Sequence, residues 1–432
     1  MELHSTGILP LLRNRNFMVL WVSQLITQLA DKILFVLQIL IATSRSFSDY
    51  PSPLVSYEAL VMISSTLPAV LFGSLAGIYV DRHNKIQVMI FANIWRATFV
   101  FMIPLLPNSF FYLLAVVFLE QVFTQFFSPA EQSAIPLVVD KPNLLAANAM
   151  IASSMMASLI IGYGIGSPLL NGLTNLLPQF SAFVREGFVG GAYLLSAVML
   201  LLIPVQEQIP KNLKPHLFSD LKQALIYVRR NVPVGGAIVH LMLLYGVLGV
   251  LLKLSMNLSK LLLGNQGDFG FFVSATGVGL TLSALILGQF GGYFAHRPLP
   301  LMGFMGIGLA LFMFAFAPTV VVGVAIAVFL GLHTSLILLP MQTIIHQYTD
   351  ENMRGKVFGL LNNGQNIAAN LPLILVTLVL DTVIISLQNI PEIGVNGERL
   401  GFQIVVIACA CLVLVLGWWT WHKNRQAIQK LL

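Results

Sequence analysis

The chain has 432 residues, of which 57% are hydrophobic and only 9% are charged, and its mean hydropathy is +0.85. A water-soluble domain of ordinary composition carries about a quarter of its residues as charged side chains. The composition therefore excludes a soluble protein and predicts an integral membrane protein. The net charge of +6 is explained by where Lys and Arg lie around the membrane, so it does not indicate nucleic-acid binding.

Apolar runs of about 20 residues recur along the chain, and each is long enough to cross a hydrocarbon core of about 30 Å as a helix. The predicted fold class is an all-α integral membrane protein with twelve transmembrane helices. The twelve spans cover residues 17–43, 54–80, 86–106, 110–128, 146–173, 187–205, 235–258, 269–294, 299–317, 319–342, 358–386 and 401–421.

Basic residues are distributed unevenly between the two sides that these spans define. With the N-terminus inside, sixteen of the 23 Lys and Arg residues fall in inner segments and four fall in outer loops. Because Lys and Arg are retained on the cytoplasmic side, the N- and C-termini are both predicted to be cytoplasmic.

Polar side chains follow one face of the first and fourth spans. Gln24, Gln28 and Asp31 are four and three residues apart on the first span, and Glu120 and Thr124 are four apart on the fourth. Residues at these spacings lie on the same side of a helix. The two faces are predicted to line a polar cavity.

Two cations accompany these carboxylates inside predicted spans, namely Lys32 and Arg96. A charge at the centre of a spanning helix costs about 2.5–3.5 kcal/mol on insertion scales, so such groups need partners or water. Asp31 and Glu120 are expected to handle substrate or protons. The alternative is that they form structural ion pairs with Lys32 and Arg96, and for Arg96 itself we favour the structural role.

Charge is also concentrated after the second span, in the stretch GSLAGIYVDRHNKIQ at residues 73–87. Gly73 and Gly77 form a small face that lets another helix backbone approach closely. Asp81 continues that face, while Arg82 and Lys85 hold the turn at the cytoplasmic surface. The stretch is predicted to be a gating latch that exists in one orientation of the two halves; the alternative is a simple positive-inside anchor.

The same pattern returns 215 residues later in Gly288, Gly292 and the pair His296-Arg297. Both copies close an even-numbered span, which indicates an internal repeat. The predicted domains are a six-helix half at residues 1–205 and a second at 235–432, joined by a cytoplasmic linker at 206–234. The linker contains an amphipathic helix, with Leu221, Leu225 and Val228 inward and Arg229 and Arg230 toward lipid phosphates.

The second half contributes fewer polar candidates. His333 on span ten, and Asn362 and Asn366 on span eleven, are candidate cavity residues. The alternative for the histidine is a hydrogen-bonded core residue, and for the asparagines a helix–helix contact. Lys253, near the outer end of span seven, is expected to extend its amine toward the membrane surface.

The stretch Gly77-Ile-Tyr-Val-Asp81-Arg82-His-Asn-Lys85 resembles the loop signature G-x-x-x-D-R-x-x-R/K of the major facilitator superfamily. The twelve spans, the half-chain repeat and the central cytoplasmic segment extend the resemblance over essentially the whole chain. Gly162-Tyr-Gly-Ile-Gly166-Ser-Pro168 on span five is similar to the glycine-proline motif of the antiporter branches, although Ser167 intervenes before the proline.

Further stretches resemble particular branches of the family. Phe127-Ser-Pro-Ala-Glu131 and Asp350-Glu-Asn-Met-Arg354 are similar to macrolide and siderophore exporters, whereas Ala30-Asp31-Lys32 is shared with bacterial lysophospholipid transporters. The chain departs from the family at His296, where an acid is usual, and at Glu131, a position that is often basic.

The resemblance implies a secondary active transporter of the bacterial inner membrane that works by alternating access. The expected function is proton-coupled export of an amphiphilic small molecule, either a drug or a metabolite. The expected partners are that small-molecule or lipid-like substrate, protons and the lipid bilayer. We expect no cofactor, no metal and no nucleic acid, and a monomer.

Three alternatives stay open at this point. A lysophospholipid transporter is the first, a passive channel the second and a membrane-embedded enzyme the third. The sequence contains no HExxH, GxSxG or Walker-type phosphate loop, which argues against an enzyme and against direct ATP-driven pumping.

Overall fold

The computed structural model describes residues 8–44, 47, 57–105, 107–140, 143–181, 183–204, 217–294, 297–350, 353–388, 390 and 396–428. These described residues form α-helices and no β-strand. The helices are α1 (Ile8–Arg13), α2 (Arg15–Ser44), α3 (Tyr57–Asp81), α4 (Lys85–Met102), α5 (Phe110–Val138), α6 (Leu144–Leu176), α7 (Val184–Leu200), α8 (Leu217–Arg230), α9 (Val232–Leu263), α10 (Gly270–Phe294), α11 (Leu299–Ala315), α12 (Val320–Tyr348), α13 (Arg354–Gln388) and α14 (Gly397–Ile428).

Helices α2–α7 and α9–α14 correspond in order to the twelve predicted spans. Eight of the described helices are long and apolar enough to cross a membrane, and shorter apolar helices cover Tyr57–Gly73 and Leu299–Ala315. A helix satisfies all its backbone hydrogen bonds within one segment, which lipid cannot do for it, so apolar runs of this length fold as helices. The prediction of an all-α membrane fold is confirmed.

The described residues divide into two compact units, which we call unit 1 (residues 1–53 and 60–215) and unit 2 (residues 54–59 and 216–432). In unit 1, helix α2 packs on α6, α4 on α5, and α4 on α7. In unit 2, α9 packs on α13, α11 on α12, and α11 on α14. The same pairing thus recurs in both units, as an internal repeat requires. The predicted boundaries at 205 and 234 stay a prediction.

Helix α8 corresponds to the predicted amphipathic helix of the linker. Ala224 is fully buried and Val228 packs against the core of unit 2, whereas Leu225 is 44% exposed. That Leu225 points toward the membrane interior stays a prediction. Arg229 and Arg230 are exposed, and the side chain of Leu221 lies outside the described residues.

Candidate functional site

Arg96 on α4 is the largest fully buried side chain in the described part of the chain, with none of its surface exposed. Its Nε donates to Glu120 Oε1 on α5 at 2.9 Å, and its Nη1 donates to Asn93 Oδ1 at 3.3 Å. Its Nη2 donates to Tyr193 Oη on α7 at 2.9 Å and also to Asp31 Oδ1 on α2. One guanidinium therefore joins four helices of unit 1.

We call Asp31, Arg96, Glu120 and Tyr193 the Arg96 cluster. The Tyr193 hydroxyl donates to Asp31 Oδ1 at 2.8 Å, and the guanidinium lies 4.2 Å from the centre of the tyrosine ring. Glu120 is fully enclosed, whereas about 26% of the Asp31 side chain is exposed. Two carboxylates share one cation, which leaves an uncompensated negative charge if both are ionised.

Neutral hydrogen bonds extend this cluster into the interior of unit 1. Asn93 Nδ2 donates to Thr27 Oγ1 at 3.1 Å and to Ser196 Oγ at 3.0 Å, while Ser196 donates to the Ser23 carbonyl at 2.9 Å. These bonds connect α2, α4 and α7 beside Arg96. Buried polar groups rarely persist unless they are satisfied in this way, so the network holds the arginine in one position.

A further carboxylate lies next to the Arg96 cluster. Glu131 on α5 is 9% exposed, and Gln28 Nε2 on α2 donates to its Oε1 at 3.5 Å. Gln24, also buried, lies beside it. The sequence analysis placed the two glutamines on a cavity face and treated Glu131 only as part of a motif, so the structure adds this residue to the candidate site.

The structure brings Gln28, Asp31, Arg96, Glu120 and Thr124 together, and the polar cavity that they are expected to line stays a prediction. Thr124 donates to the Glu120 carboxylate at 3.2 Å, one turn away on the same helix. Sequence reasoning overlooked Tyr193, which lies in an almost wholly apolar span; a single hydroxyl there was the available signal. It also gave no role to Asn93, three residues before Arg96 on the same helix face.

The predicted latch after α3 is only partly described. A Cβ on Gly77 would meet no described heavy atom within 4 Å, and one on Gly73 would have Gln125 Oε1 as its nearest at 3.8 Å. The expectation that these glycines admit a neighbouring backbone is therefore wrong for the described residues. Arg82 is exposed, but Lys85 is 8% exposed and is not the surface anchor that was expected.

The remaining latch residues are Asp81 and those of the second copy of the repeat. The side chains of Asp81 and of residues 288–296, which include Gly292 and His296, lie outside the described residues, while Arg297 is exposed. The latch stays a prediction.

The motif on α6 has a clear packing role. Gly162 lies against Lys32 on α2, and a Cβ on Gly166 would come within 3.1 Å of Val36 Cγ2. The two glycines let α6 approach α2 closely, whereas Pro168 is exposed. Lys32 is also 5.7 Å from the centre of the Tyr163 ring on α6 and forms no ion pair with Asp31 among the described residues.

The second-half candidates lie in unit 2. The Nδ1 of His333 on α12 is 2.9 Å from the Phe329 carbonyl, which is the local contact of a core histidine. Asn362 and Asn366 are exposed on α13. Their assignment to a cavity stays a prediction.

Unit 2 contains its own buried cation, Lys253 on α9, which is 0% exposed. Its Nζ lies 3.1 Å from Asp381 Oδ1 on α13 and 3.6 Å from Glu58 Oε1. Glu58 belongs to the segment 54–59 of this unit, and Gln266 donates to the same oxygen at 2.7 Å. The expectation that Lys253 extends toward the membrane surface is wrong, because two interior carboxylates hold its amine.

Helices α9, α11, α13 and α14 enclose a groove of about 490 Å³ in unit 2. Its lining is apolar throughout, and its rim includes the exposed side chains Leu371 and Leu412. We call it the apolar groove. In the described part of the chain, no cluster of His, Cys, Asp and Glu is arranged to hold a metal ion.

Comparison with protein-family models gives one extended match, to the Major Facilitator Superfamily over residues 20–372. Among individual proteins, the uncharacterized MFS-type transporter YfiS of Bacillus subtilis is 25% identical over 421 residues, which cover 94% of this chain and 93% of YfiS. Macrolide efflux protein A of Streptococcus pyogenes is 23% identical over 412 residues, covering 92% of this chain and 95% of that protein.

Solved structures resemble the chain over nearly its full length. A bacterial homologue of the human lysosomal transporter Spinster has a TM-score of 0.71 at 14% identity, covering 95% of this chain and 97% of that structure. The nucleoside transporter NupG has a TM-score of 0.69 at 13% identity, covering 94% and 98%. At these identities the likeness shows the fold alone.

Proposed function

Because this chain belongs to the major facilitator superfamily of membrane transporters, we propose that it is a secondary active transporter that exports an amphiphilic small molecule in exchange for protons. Transport proceeds by alternating access, in which a binding site opens first to one side of the membrane and then to the other. The similarity to a macrolide efflux protein supports the direction and the substrate class.

The observation that carries the proposal is the charge balance inside unit 1. Asp31, Glu120 and Glu131 are carboxylates around the single guanidinium of Arg96. Unpaired charge is costly at membrane depth, so such an excess of acid favours binding either a proton or a cationic group. A site with that property can exchange protons for a substrate.

Within this site, the prediction that Glu120 handles substrate or protons competes with the alternative that it forms a structural ion pair with Arg96. Arg96 Nε lies 2.9 Å from Glu120 Oε1, so the carboxylate is tightly paired. A carboxylate that accepts a charge-assisted hydrogen bond at this distance is held in place by the guanidinium and serves the structure. We therefore assign Glu120 a structural role.

Substrate selection follows from the surroundings of the site. Asp31 is partly exposed, amides from Gln24 and Gln28 lie beside it, and the chain is rich in Phe and Met. These groups suit a molecule with an apolar body and a polar or cationic end. In unit 2, Asn362, Asn366 and His333 remain proposed cavity residues.

Flipping or transport of a lysophospholipid is a second candidate function, and the apolar groove supports it. A volume of about 490 Å³ lined by apolar side chains is suited to a hydrocarbon tail. Under this alternative the substrate enters sideways from the bilayer.

The proposal also includes the membrane location of the protein and its functional class. We propose that the protein is a monomer in the bacterial inner membrane. We also propose that both termini are cytoplasmic, which the distribution of its basic residues supports. We propose that it is neither an enzyme nor a passive channel and that it uses no cofactor.

The proposal is tested with purified protein in liposomes whose lumen is more acidic than the bath. Radiolabelled erythromycin should accumulate in the lumen with saturable kinetics, and nigericin, which collapses the pH gradient, should abolish the accumulation. Radiolabelled lysophosphatidylethanolamine tests the second candidate in the same vesicles. Flux of both probes that neither saturates nor responds to nigericin would establish a passive channel instead.

A further inference from the structure

The carboxylates of unit 1 are not equivalent, and the difference concerns which of them can exchange a proton. Glu120 accepts from Arg96 at 2.9 Å, and Asp31 accepts from both Arg96 and Tyr193. Arg96 in turn donates to four oxygen acceptors. The guanidinium thus binds two carboxylates. Glu131 is a third carboxylate nearby, and it forms no ion pair with Arg96 among the described residues.

The immediate surroundings of Glu131 are amides and apolar groups. Its hydrogen bond comes from the neutral Gln28, at 3.5 Å, and among the described residues it forms no ion pair with Lys or Arg. With 9% of its surface exposed, this carboxylate lacks both a cation in contact and full hydration. An ionised group in that position is unfavourable unless a proton or another cation joins it.

The charged groups that act on Glu131 come from two neighbouring helices, Asp31 on α2 and Arg96 on α4. Helix α6 carries no Asp, Glu, Lys, Arg or His between residues 144 and 176. Helix α3 (Tyr57–Asp81), which contacts α5 through Tyr79 and Phe126, contains no Lys or Arg in its sequence. Since Arg96 is already paired with Asp31 and Glu120, the described residues provide no counterion in contact with Glu131.

The backbone around Glu131 is also unusual. Pro129 and Pro136 both lie inside α5, and a proline cannot donate the helical hydrogen bond to the carbonyl four residues earlier. The turn between them has fewer hydrogen bonds to hold it in one shape. Ser128 and Gln132, on either side of Glu131, are exposed. A small bend or rotation of this turn would bring the Glu131 carboxyl to that polar surface.

The geometry points to Glu131 as the residue that carries the coupled proton, with the Arg96 cluster as the fixed support beside it. This inference rests on the proposed proton-coupled transport. The Glu131 carboxylate binds one proton from the outer side and becomes a neutral carboxyl group. It releases the same proton to the cytoplasmic side when the turn between the prolines changes shape and substrate binds.

The experiment compares the wild type, Glu131→Gln, Glu120→Gln and, as a matched control, Glu398→Gln. Glu398 pairs with Lys260 on a partly exposed surface of unit 2. Each protein is reconstituted in liposomes, and two quantities are measured with radiolabelled erythromycin: accumulation driven by a pH gradient, and counterflow, which exchanges erythromycin without net proton movement.

Glu131→Gln should reduce gradient-driven accumulation at least tenfold, while counterflow stays within about threefold of the wild type. Glu398→Gln should change neither quantity. Glu120→Gln should lower thermal stability, and its remaining folded fraction should still respond to the gradient. Wild-type-like accumulation by Glu131→Gln would overturn the inference while leaving proton coupling intact. Accumulation by the wild type that ignores the gradient would overturn the proposed function itself.

Two further measurements keep the inference testable if Glu131→Gln folds poorly. Glu131→Asp retains a titratable carboxyl group and should keep coupled accumulation. In the wild type, adding erythromycin to the detergent-solubilised protein should release protons that a pH-indicator dye detects, with loss of a carboxyl C=O band in the infrared difference spectrum. Loss of counterflow together with accumulation in folded Glu131→Gln would identify the residue as a substrate ligand and contradict the inference.

Discussion

Each compact unit buries one cation among carboxylates, but the two cations are bound in different ways. In unit 1, Arg96 donates in several directions and joins α2, α4, α5 and α7. In unit 2, Lys253 contacts Asp381 at 3.1 Å and Glu58 at 3.6 Å. A guanidinium has fixed planar donors, whereas an ammonium acts as a point charge. The first cluster therefore orients its carboxylates, and the second mainly neutralises them.

The surroundings of the two cations differ as well. Amide and hydroxyl groups extend from Arg96 through Asn93 and Ser196, and the extra carboxylate Glu131 lies close by. Helix α9 around Lys253 contributes instead to an apolar core that includes Leu251 and Leu254. We propose that unit 1 provides the polar groups for proton exchange, while the ion pairs of unit 2 join its helices.

Among the substitutions considered, Arg96→Met is expected to reduce stability most. It leaves Asp31 and Glu120 buried without their cation, and breaking a buried pair in this way costs about 3–5 kcal/mol. We expect a large fall in the apparent melting temperature of the detergent-solubilised protein, or no folded protein. Arg82→Met, at an exposed site, is the control and should melt like the wild type. Normal melting of the Arg96 variant would mean that the cluster does not support the fold.

Replacing Lys253 with Met tests whether the cluster in unit 2 is only structural. The single change should destabilise by about 3 kcal/mol, because Asp381 then lacks its cation. Adding Asp381→Asn should recover much of that loss, and the double variant should retain erythromycin accumulation driven by the pH gradient. A stable double variant that no longer responds to the gradient would give unit 2 a part in coupling.

Glycine substitutions compare the equivalent helix crossings, α2 with α6 and α9 with α13. A Cβ on Gly249 would collide with the Ala369 backbone, which cannot move aside, so Gly249→Ala should destabilise by about 1–3 kcal/mol. Gly166→Ala meets only the Val36 side chain, at 3.1 Å, and should cost less. A Cβ on Gly77 would meet no described atom within 4 Å, so Gly77→Ala should change the free energy of unfolding by no more than about 0.5 kcal/mol. Thermal melting of the three variants measures the order, and equal losses would contradict it.

The smallest effect is expected at the predicted latch. One variant in each copy of the repeat allows their effects on the transport rate to be compared. A charge at a helix end contributes about 0.3–1 kcal/mol, so Asp81→Asn should slow erythromycin transport about two- to fivefold without changing the melting temperature. His296→Asn, in the second copy, should slow transport less because it removes no negative charge. Wild-type turnover of Asp81→Asn would return the motif to a simple membrane anchor.

Much of the candidate site could be anticipated from helical spacing. Gln28, Asp31, Glu120 and Thr124 were placed on two helix faces, and the structure brings those faces together around Arg96. Spacing within one helix is a local property, so it can be read directly from the chain. The identity of each ion-pair partner is not local, since Arg96 lies 65 residues from Asp31 and 97 from Tyr193.

Residues whose surroundings were not anticipated also depend on contacts between distant segments of the chain. Lys253 was expected at the membrane surface, because nothing near it in sequence indicated Asp381 or Glu58 as partners. Glu131 was treated as a motif residue, since its burial depends on α2 packing against α5.

The amino-acid sequence by itself determined the membrane location, the helical fold, the half-chain repeat and the transporter family. These follow from the length of apolar runs, the periodicity of polar residues and a short charged motif, which are all properties of neighbouring residues. Only the tertiary structure decided that Arg96 binds both Asp31 and Glu120, and that Glu131 stays outside that cluster. Those contacts join side chains on different helices, so their pairing depends on how the helices pack and not on any single segment.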